Sequence, residues 1–222
     1  MHLIVNNVYR SIQLEGQYAG HPAVFVRMQG CSVGCAYCNV KGACATEMAT
    51  EVSMSEVMGK VSDAQTFAVF TVEQLVDHIK AIASPNKLVV ITGGEPLEQD
   101  IGRLVNELNN ESFVVSIETS GTTEEPYWLG ASGNECYLTV SIKNIEGGKK
   151  TQDWAMTFGD MFIYPISTKE DADEFKKLID DHDNEIVYNL QALNRNPKST
   201  QIVYNLSMET GYPISLMSGI SK

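Results

Sequence analysis

Three cysteines stand close together near the amino terminus, in the run Cys31-Ser-Val-Gly-Cys35-Ala-Tyr-Cys38. Thiolates at this three-then-two spacing can hold three irons of a four-iron cluster and leave the fourth iron without a protein ligand. An iron of that kind is free to bind and activate another molecule. The spacing therefore predicts a reactive iron-sulfur centre.

Structural roles for these cysteines are the alternatives. Cysteine also packs as a small hydrophobic residue, but three packing cysteines in so short a run would be a coincidence. Cys44 lies nearby and could complete a tetrahedral zinc site with the other three, although the run lacks the two separated Cys-x-x-Cys pairs of most zinc ribbons. A disulfide framework fits worse, because five cysteines is an odd number and the chain is long enough to build a core without them.

The composition is that of a globular protein. The chain has 222 residues, of which 43% are hydrophobic and 20% charged, and this suits one domain spanning 1–222. We expect a cytoplasmic protein, because the start lacks a signal-peptide pattern and no run of about 18 apolar residues occurs. The net charge of -12 disfavours a broad phosphate-binding surface, so a small substrate or a protein partner is favoured over nucleic acid.

Short β-rich runs alternate with helical patterns along most of the chain. The clearest helix starts at a Thr71 cap, where Gln74 completes a capping box. Further helices are predicted over 101–108 and after a Thr168 cap. Because such alternation is typical of parallel βαβ units, six runs predict an α/β fold with a partial (β/α)6 barrel, small and trimmed. The six predicted strands are 23–28, 88–92, 113–118, 137–142, 161–166 and 185–190.

Two segments lack a regular pattern. Residues 39–70 follow the cysteines without a convincing strand, and we expect an irregular insert there with one short helix. Residues 123–135 contain Pro126, Gly130 and Gly133, which predict a surface loop.

Polar motifs follow the ends of four predicted strands. These motifs are the cysteine loop, Thr92-Gly-Gly-Glu-Pro96, Glu118-Thr-Ser-Gly-Thr122 and Ser141-Ile-Lys143. The carboxyl ends of parallel strands meet at one rim, which is where barrel enzymes have their active sites. We therefore expect the four motifs to converge.

The Gly93-Gly94-Glu95 sequence has a specific chemical meaning at such a rim. Paired glycines mark many ordinary turns. After a buried strand, however, they let the backbone approach a ligand closely, and Glu95 adds a carboxylate that suits an ammonium group.

The cysteine motif, with Tyr37 before its third cysteine, and Gly93-Gly-Glu-Pro96 together closely resemble the radical S-adenosylmethionine (SAM) enzymes. The resemblance implies a partial barrel of the radical SAM type, with a 4Fe-4S cluster on Cys31, Cys35 and Cys38 and with SAM on the open iron. In such enzymes the cofactor carries the hard chemistry and the protein positions it. The resemblance places along SAM the residues Tyr37, Cys38, Asn39, Gly93, Gly94, Glu95, Ser141, Ile142 and Lys143.

The amino-terminal segment narrows the resemblance. Ser11-Ile-Gln-Leu-Glu-Gly16 and then Gly20-His-Pro-Ala-Val-Phe-Val-Arg27 are similar to the opening of the 7-carboxy-7-deazaguanine synthase family, whose pattern is Ser-x-Gln-Gly-Glu-Gly and then Gly-x-Pro-x-x-Phe-x-Arg. That family converts 6-carboxy-5,6,7,8-tetrahydropterin into 7-carboxy-7-deazaguanine with loss of ammonia. The resemblance implies a lyase of queuosine-type 7-deazapurine biosynthesis, a flavodoxin-like or other reductant, and a homodimer.

The same resemblance implies residue roles. Arg27 would pair with the substrate carboxylate, a task that suits a guanidinium, although a structural ion pair is the alternative. Thr92 and Glu118 would hydrogen-bond the heterocycle, or else only stabilise their loops. We assign catalytic roles to Arg27 and Glu118. The residues expected to bind substrate are Ile12, Gln13, Leu14, Glu15, Arg27, Thr92, Glu118 and Lys222.

Several positions depart from the family pattern. Leu14 replaces a glycine, and Gln191 aligns only loosely with a Gln-Pro turn that touches adenosine. Val40 stands where many members have a threonine that helps hold Mg²⁺, and valine offers no oxygen to a hard cation. Magnesium is then absent, held by water and substrate, or replaced by another interaction. The usual carboxyl-terminal His-Lys pair is missing, and the chain ends at Lys222, whose carboxylate could lie near the pterin.

Two other functions stay open at this point. A glycyl-radical activating enzyme shares the cysteine loop and a short barrel, but it would not be expected to carry the Ser11-Ile-Gln-Leu-Glu-Gly16 segment. A non-catalytic zinc or iron-sulfur module would use Cys44 or Cys136 as a fourth ligand. Such a module needs no cofactor-binding rim, and Gly93-Gly-Glu-Pro96 speaks against it.

Overall fold

Strands and helices alternate along the chain. The computed structural model describes residues 1–35, 38, 40–58, 60, 64–143, 149–181, 186–193 and 196–215. The strands are β1 His2–Ile12, β2 Pro22–Met28, β3 Thr50–Glu51, β4 Thr66–Thr71, β5 Leu88–Gly93, β6 Val114–Thr119, β7 Tyr137–Ser141, β8 Met161–Ile166 and β9 Tyr188–Ala192. The α-helices are α1 Met54–Met58, α2 Val72–Ile82, α3 Gly102–Asn110, α4 Asp153–Phe158, α5 Lys169–Asp181 and α6 Pro197–Thr210.

Within the described ranges these strands form one open sheet, in the order β3-β4-β1-β2-β5-β6-β7-β8-β9. Strands β2, β5, β6, β7, β8 and β9 are parallel neighbours. They are the six strands that the sequence predicts. The partial (β/α)6 barrel is therefore confirmed, and the sheet does not close.

Strands β1 and β4 correct the sequence interpretation. β1 pairs antiparallel with β2 on one side and with β4 on the other. The expectation of an irregular insert over 39–70 is wrong in that β3 and β4 lie there, while the expected short helix is α1. In β4 only Ala68 and Phe70 are fully buried, so the strand lacks the continuous apolar run of the parallel strands. β1 likewise carries the polar residues Asn6 and Asn7 at its centre.

The starts of α2 and α5 agree with the sequence, but two other helices were not predicted from it. Thr71 caps α2 in the predicted capping box, in which its hydroxyl accepts a hydrogen bond from the backbone N–H of Gln74. Thr168 caps α5 through the N–H of Asp171 at 3.2 Å. The sequence reading missed α4 and α6. None of the helices in the described ranges is long and apolar enough to cross a lipid bilayer.

The segment 123–135 forms turns without a helix or strand, as predicted. It is nevertheless anchored in the core, because Trp128 is only 4% exposed. A Cβ at Gly102 would lie 2.4 Å from the Trp128 ring, so the start of α3 needs a glycine to admit the indole.

The two faces of the sheet bury different residues. One face packs against the helices through the main apolar core. The other face carries a small apolar group, Ala23, Phe25, Leu88 and Val90, against which Tyr9 and Tyr18 pack. Side chains alternate along a strand. Arg27 and Thr92, two positions after Phe25 and Val90, therefore lie on this second face, towards the carboxyl ends of β2 and β5.

A buried asparagine links the insert to the parallel strands. Asn6 of β1 is fully buried, and its amide donates to Gln29 Oε1 at 2.7 Å, to Gly42 O at 3.2 Å and to Thr66 O at 3.1 Å. Its Oδ1 accepts from Lys60 Nζ at 3.1 Å. One side chain thus connects β1, the segment after β2, and β4.

Replacing Asn6 by alanine should lower the free energy of unfolding by about 2 kcal/mol, because buried acceptors lose their donor. Urea denaturation of the cluster-free chain measures the change. Asn110→Ala, the same substitution at an exposed position on α3, should cost less than about 0.5 kcal/mol. Equal losses in the two variants would contradict the structural role of Asn6.

Candidate active site

A cavity opens at the carboxyl ends of the parallel strands. The cavity has a volume of about 230 Å³ and is partly open to solvent. Cys31, Cys35 and Cys38 line it together with Thr92 and Glu118. The predicted convergence of the strand-end motifs is therefore present in the fold, and the candidate ligand residues share one cavity with the candidate substrate residues.

Gly93 and Gly94 bring β5 unusually close to the cysteine loop. The Gly94 N–H donates to Met28 O at 3.0 Å, and the Glu95 N–H donates to Gly30 O at 2.8 Å. A Cβ would lie 2.4 Å from Met28 N at Gly93, whose φ is +123°, and 2.0 Å from Gly30 O at Gly94. Only glycine fits at such distances. The sequence predicts that these glycines approach a ligand, whereas the close approach seen in the structure is to the backbone of Met28 and Gly30, before the cysteines.

Glu95 connects the ends of β5 and β6. Its carboxylate is 1% exposed. It accepts hydrogen bonds from Thr119 Oγ1 at 2.6 Å, from Ser120 N at 2.8 Å and also from the Ser120 hydroxyl. Because these bonds occupy both oxygens, the carboxylate holds two strand ends together, and contact between Glu95 and SAM stays a prediction.

Hydrogen bonds hold the cysteine loop, residues 31–38, at Cys31 and at Ser32. Cys31 N donates to Cys44 O at 2.9 Å, and Ser32 N donates to Glu98 Oε1 at 2.9 Å. Lys149 donates to the Ser32 hydroxyl at 2.6 Å. These bonds join the loop to Cys44, to Glu98 and to Lys149.

All the cysteines of the chain are free thiols. Burial raises the pKa of Cys31 and Cys35, so neither thiol ionises readily without a cation beside it. Across the described residues, no three His, Cys, Asp or Glu side chains come together as ligands of a single metal ion.

The Ser141-Ile142-Lys143 segment divides its side chains between the cavity and the core. Ser141 and Lys143 line the cavity, and Lys143 Nζ donates to Ser141 Oγ at 2.6 Å. Burial lowers the pKa of Lys143, while the nearby Cys35 thiol opposes that shift. Ile142 packs against the main core and donates its N–H to Ile163 O at 3.0 Å, so any contact of Ile142 with SAM would use its backbone.

Gln13, Thr92 and Glu118 form a hydrogen-bonded group across three segments. Glu118 Oε1 accepts from Gln13 Nε2 at 2.8 Å, and Glu118 Oε2 accepts from Thr92 Oγ1 at 2.7 Å. The Gln13 side chain in turn accepts the N–H of Leu14 at 2.9 Å. Residues far apart in the chain are thus joined beside the cavity, which Thr92 and Glu118 line. Their contact with substrate stays a prediction.

Glu15 is a second carboxyl group in the cavity wall. It accepts from Gln191 Nε2 at 2.9 Å. Burial, and next the Glu118 carboxylate, raise the pKa of Glu15 from 4.5 to about 8, while Lys143 opposes the shift. Glu15 therefore carries a proton near neutral pH. Gln191, which aligned only loosely with the family, lines the cavity beside it.

Arg27 lies beside the cavity, outside the residues that line it. Its guanidinium stands 5.4 Å from the ring centre of Tyr9 and donates to the Tyr9 hydroxyl at 3.1 Å. Tyr9 stacks on Phe25 at 5.3 Å. The β2–β5 register pairs Arg27 with Thr92, so both residues occupy one row of the sheet.

The other predicted residues are distributed unevenly. Ile12 is 38% exposed at the end of β1, and Leu14 is partly buried without lining the cavity. Tyr37, Asn39 and Lys222 lie outside the described residues. The sequence reading missed further wall residues, among them Thr139 and Ile163, because a threonine or an isoleucine within a strand carries no distinctive signal.

Comparisons with known proteins agree with this geometry. A family model described as the radical SAM superfamily matches residues 25–143. The 7-carboxy-7-deazaguanine synthase of Escherichia coli (strain K12) is 29% identical over 217 residues, covering 96% of this chain and 95% of that protein. The synthase of Buchnera aphidicola subsp. Schizaphis graminum is 28% identical over 205 residues, covering 91% and 90%. The crystal structure of QueE from Escherichia coli matches with a TM-score of 0.85 and 28% identity, covering 98% of this chain and 94% of that chain.

The chain belongs to the radical SAM superfamily. It is accordingly an enzyme that uses a 4Fe-4S cluster and SAM. The residues present fit this pair of cofactors, since three free thiols and Gly94, directly after β5, line one cavity. The reading as a non-catalytic zinc module is thereby set aside.

The raised pKa of Glu15 makes stability depend on pH. Below about pH 4.5 Glu15 is protonated in both states, and above about pH 8 it is ionised in both. In between, the folded chain binds the proton that the unfolded chain releases, so the free energy of unfolding should fall as pH rises. Glu15→Gln should flatten this decline in urea denaturation of the cluster-free chain at a series of pH values.

The control is Glu125→Gln, which removes a carboxylate from an exposed position and should leave the wild-type decline in place. A Glu15→Gln variant whose pH dependence matches that of the wild type would contradict the assignment of the proton to Glu15.

Proposed function

We propose that this enzyme converts 6-carboxy-5,6,7,8-tetrahydropterin into 7-carboxy-7-deazaguanine with release of ammonia, as a lyase of queuosine-type biosynthesis. Relatives named for that product align over 96% of the chain. The observation that carries the proposal is the Gln13–Glu118–Thr92 group, with hydrogen bonds of 2.8 and 2.7 Å. Glu118 and Thr92 of this group line the cavity that the three cysteines also line.

The cofactors would occupy the part of the cavity formed by the cysteine loop and by the ends of β5 and β7. Cys31, Cys35 and Cys38 would hold the cluster. Gly94, Ser141 and Lys143 would lie along SAM, as would Tyr37, Asn39 and the backbone of Gly93, Glu95 and Ile142. When bound, the two cofactors would supply radical chemistry to the substrate.

The wall residues suit the polar edge of a pterin. Glu118 is an oriented acceptor for N–H groups of the heterocycle, because Gln13 and Thr92 fix both of its oxygens. Glu15, which carries a proton near neutral pH, is a donor for a carbonyl or a ring nitrogen. One carboxylate and one carboxylic acid in the same cavity would thus recognise opposite hydrogen-bonding groups. Ile12 and Leu14 would contribute backbone groups only.

Arg27 would bind the substrate carboxylate. Tyr9 holds the guanidinium through a 3.1 Å hydrogen bond and a ring contact, which limits the motion of the side chain before substrate arrives. A guanidinium pairs with a carboxylate through two parallel hydrogen bonds, and lysine cannot reproduce that geometry.

The family's magnesium ligand is missing from the cavity wall. Val40 lines the cavity at that position with an aliphatic side chain. The described residues therefore do not fit the family's Mg²⁺ site. The reductant, the homodimer and a role for Lys222 stay predictions from the resemblance.

The proposed reaction is tested by anaerobic reconstitution of the cluster, followed by addition of dithionite, SAM and the carboxy-tetrahydropterin. We expect 7-carboxy-7-deazaguanine by mass spectrometry, together with ammonia. Cleavage of SAM without that product would contradict the proposed substrate while leaving the superfamily assignment intact.

Replacing Arg27 by lysine should raise the KM for the carboxy-tetrahydropterin about 10- to 100-fold, because a charge-assisted bidentate contact is lost. Steady-state kinetics of the reconstituted enzyme measures KM and kcat separately. Arg10→Lys, at an exposed position of β1, is the matched control and should leave both constants unchanged. An unchanged KM in the Arg27 variant would exclude the carboxylate contact.

A further inference from the structure

Cys44 is a fourth thiol beside the cluster loop, outside the three-cysteine motif. Its Sγ lies 3.5 Å from Cys38 Sγ and 3.5 Å from Val40 O. The backbone fixes this position, because Cys44 O accepts from Cys31 N at 2.9 Å and Cys44 N donates to Lys41 O at 3.2 Å. A short 3-10 turn, Lys41–Ala43, carries Cys44 back to the loop.

Protonation decides which sulfur donates in the Cys38–Cys44 contact. As a cluster ligand Cys38 is a thiolate, which can only accept hydrogen bonds. Cys44 then has to be the donor, with its single proton. The Val40 carbonyl and the Cys31 sulfur also lie near Cys44. A bond to a charged ligand sulfur is about twice as strong as one to the neutral carbonyl, and the sulfur contact at 3.5 Å is the one to Cys38 Sγ. The Val40 N–H also points at Cys38 Sγ, at 3.4 Å.

We propose that Cys44 donates an S–H hydrogen bond to the cluster-ligating sulfur of Cys38 and thereby raises the reduction potential of the cluster. The proposal rests on ligation by Cys38 and is independent of the substrate proposed above. Hydrogen bonds to ligand sulfurs are one of the determinants of iron-sulfur potentials. They favour the reduced cluster, because reduction adds negative charge that the donor stabilises.

The structure offers matched variants for this position. Cys44→Ala removes the donor but keeps the backbone bonds to Cys31 and Lys41. Cys44→Ser keeps a donor of similar shape. Cys136→Ala changes another partly buried cysteine, which packs against the main core.

The experiment is a redox titration of the anaerobically reconstituted cluster, followed by EPR, without SAM or substrate. In Cys44→Ala the ratio of reduced to oxidised cluster at the wild-type midpoint should fall about threefold, the effect of one weak hydrogen bond. By the one-electron relation of 59 mV per tenfold change, this is a shift of about 30 mV to lower potential. Cys44→Ser should recover most of the shift, and Cys136→Ala should match the wild type.

Iron and sulfide analysis of the same samples accompanies the titration and should show equal cluster content in all four proteins. Loss of the cluster in Cys44→Ala would make Cys44 a ligand and overturn the proposal. An unchanged midpoint in Cys44→Ala would also overturn it, as would a shift that serine does not reverse. A cluster that survives Cys38→Ala would remove the ligation on which the proposal rests, whatever product the enzyme makes.

Discussion

The site depends on the close approach of Gly93 and Gly94 to the end of β2. Backbone hydrogen bonds of 3.0 and 2.8 Å from Gly94 and Glu95 to Met28 and Gly30 extend the β2–β5 pairing beyond the strands. At 2.0 Å from Gly30 O, a Cβ on Gly94 would separate the two segments. This contact sets where the cysteine loop leaves the sheet and thus where the cluster can form.

The same contact positions the substrate wall. Glu95 follows the two glycines directly. Its buried carboxylate joins the end of β5 to Thr119, the last residue of β6, and to Ser120. Glu118, the residue before Thr119 in β6, accepts a hydrogen bond from the Thr92 hydroxyl at 2.7 Å. One continuous set of hydrogen bonds therefore holds both the cofactor residues and the candidate substrate residues. A displacement of the cysteine loop would also displace Glu118.

The sequence predicted the features that a local residue pattern determines. It did not predict the strands and contacts that depend on pairing with a distant part of the chain. The six parallel strands are mostly apolar runs, so their pattern stands out, and the polar motifs follow them directly. β1 and β4 depend on each other and carry polar or half-buried residues, which removes that signal. The Gln13–Glu118 and Glu15–Gln191 contacts join residues that are 105 and 176 positions apart, and no single-sequence pattern reports such a contact without a family resemblance.

The most direct test of this account is the iron and sulfide content of Gly94→Ala after anaerobic reconstitution. We predict that the variant keeps the wild-type circular dichroism but binds much less cluster than the wild type, because the methyl group displaces the loop before Cys31. Gly20→Ala is the control for backbone strain away from the loop, because its φ is +89° and a Cβ there meets nothing within 4 Å; it should bind a full cluster. A full cluster in Gly94→Ala would contradict the central role of the glycine contact.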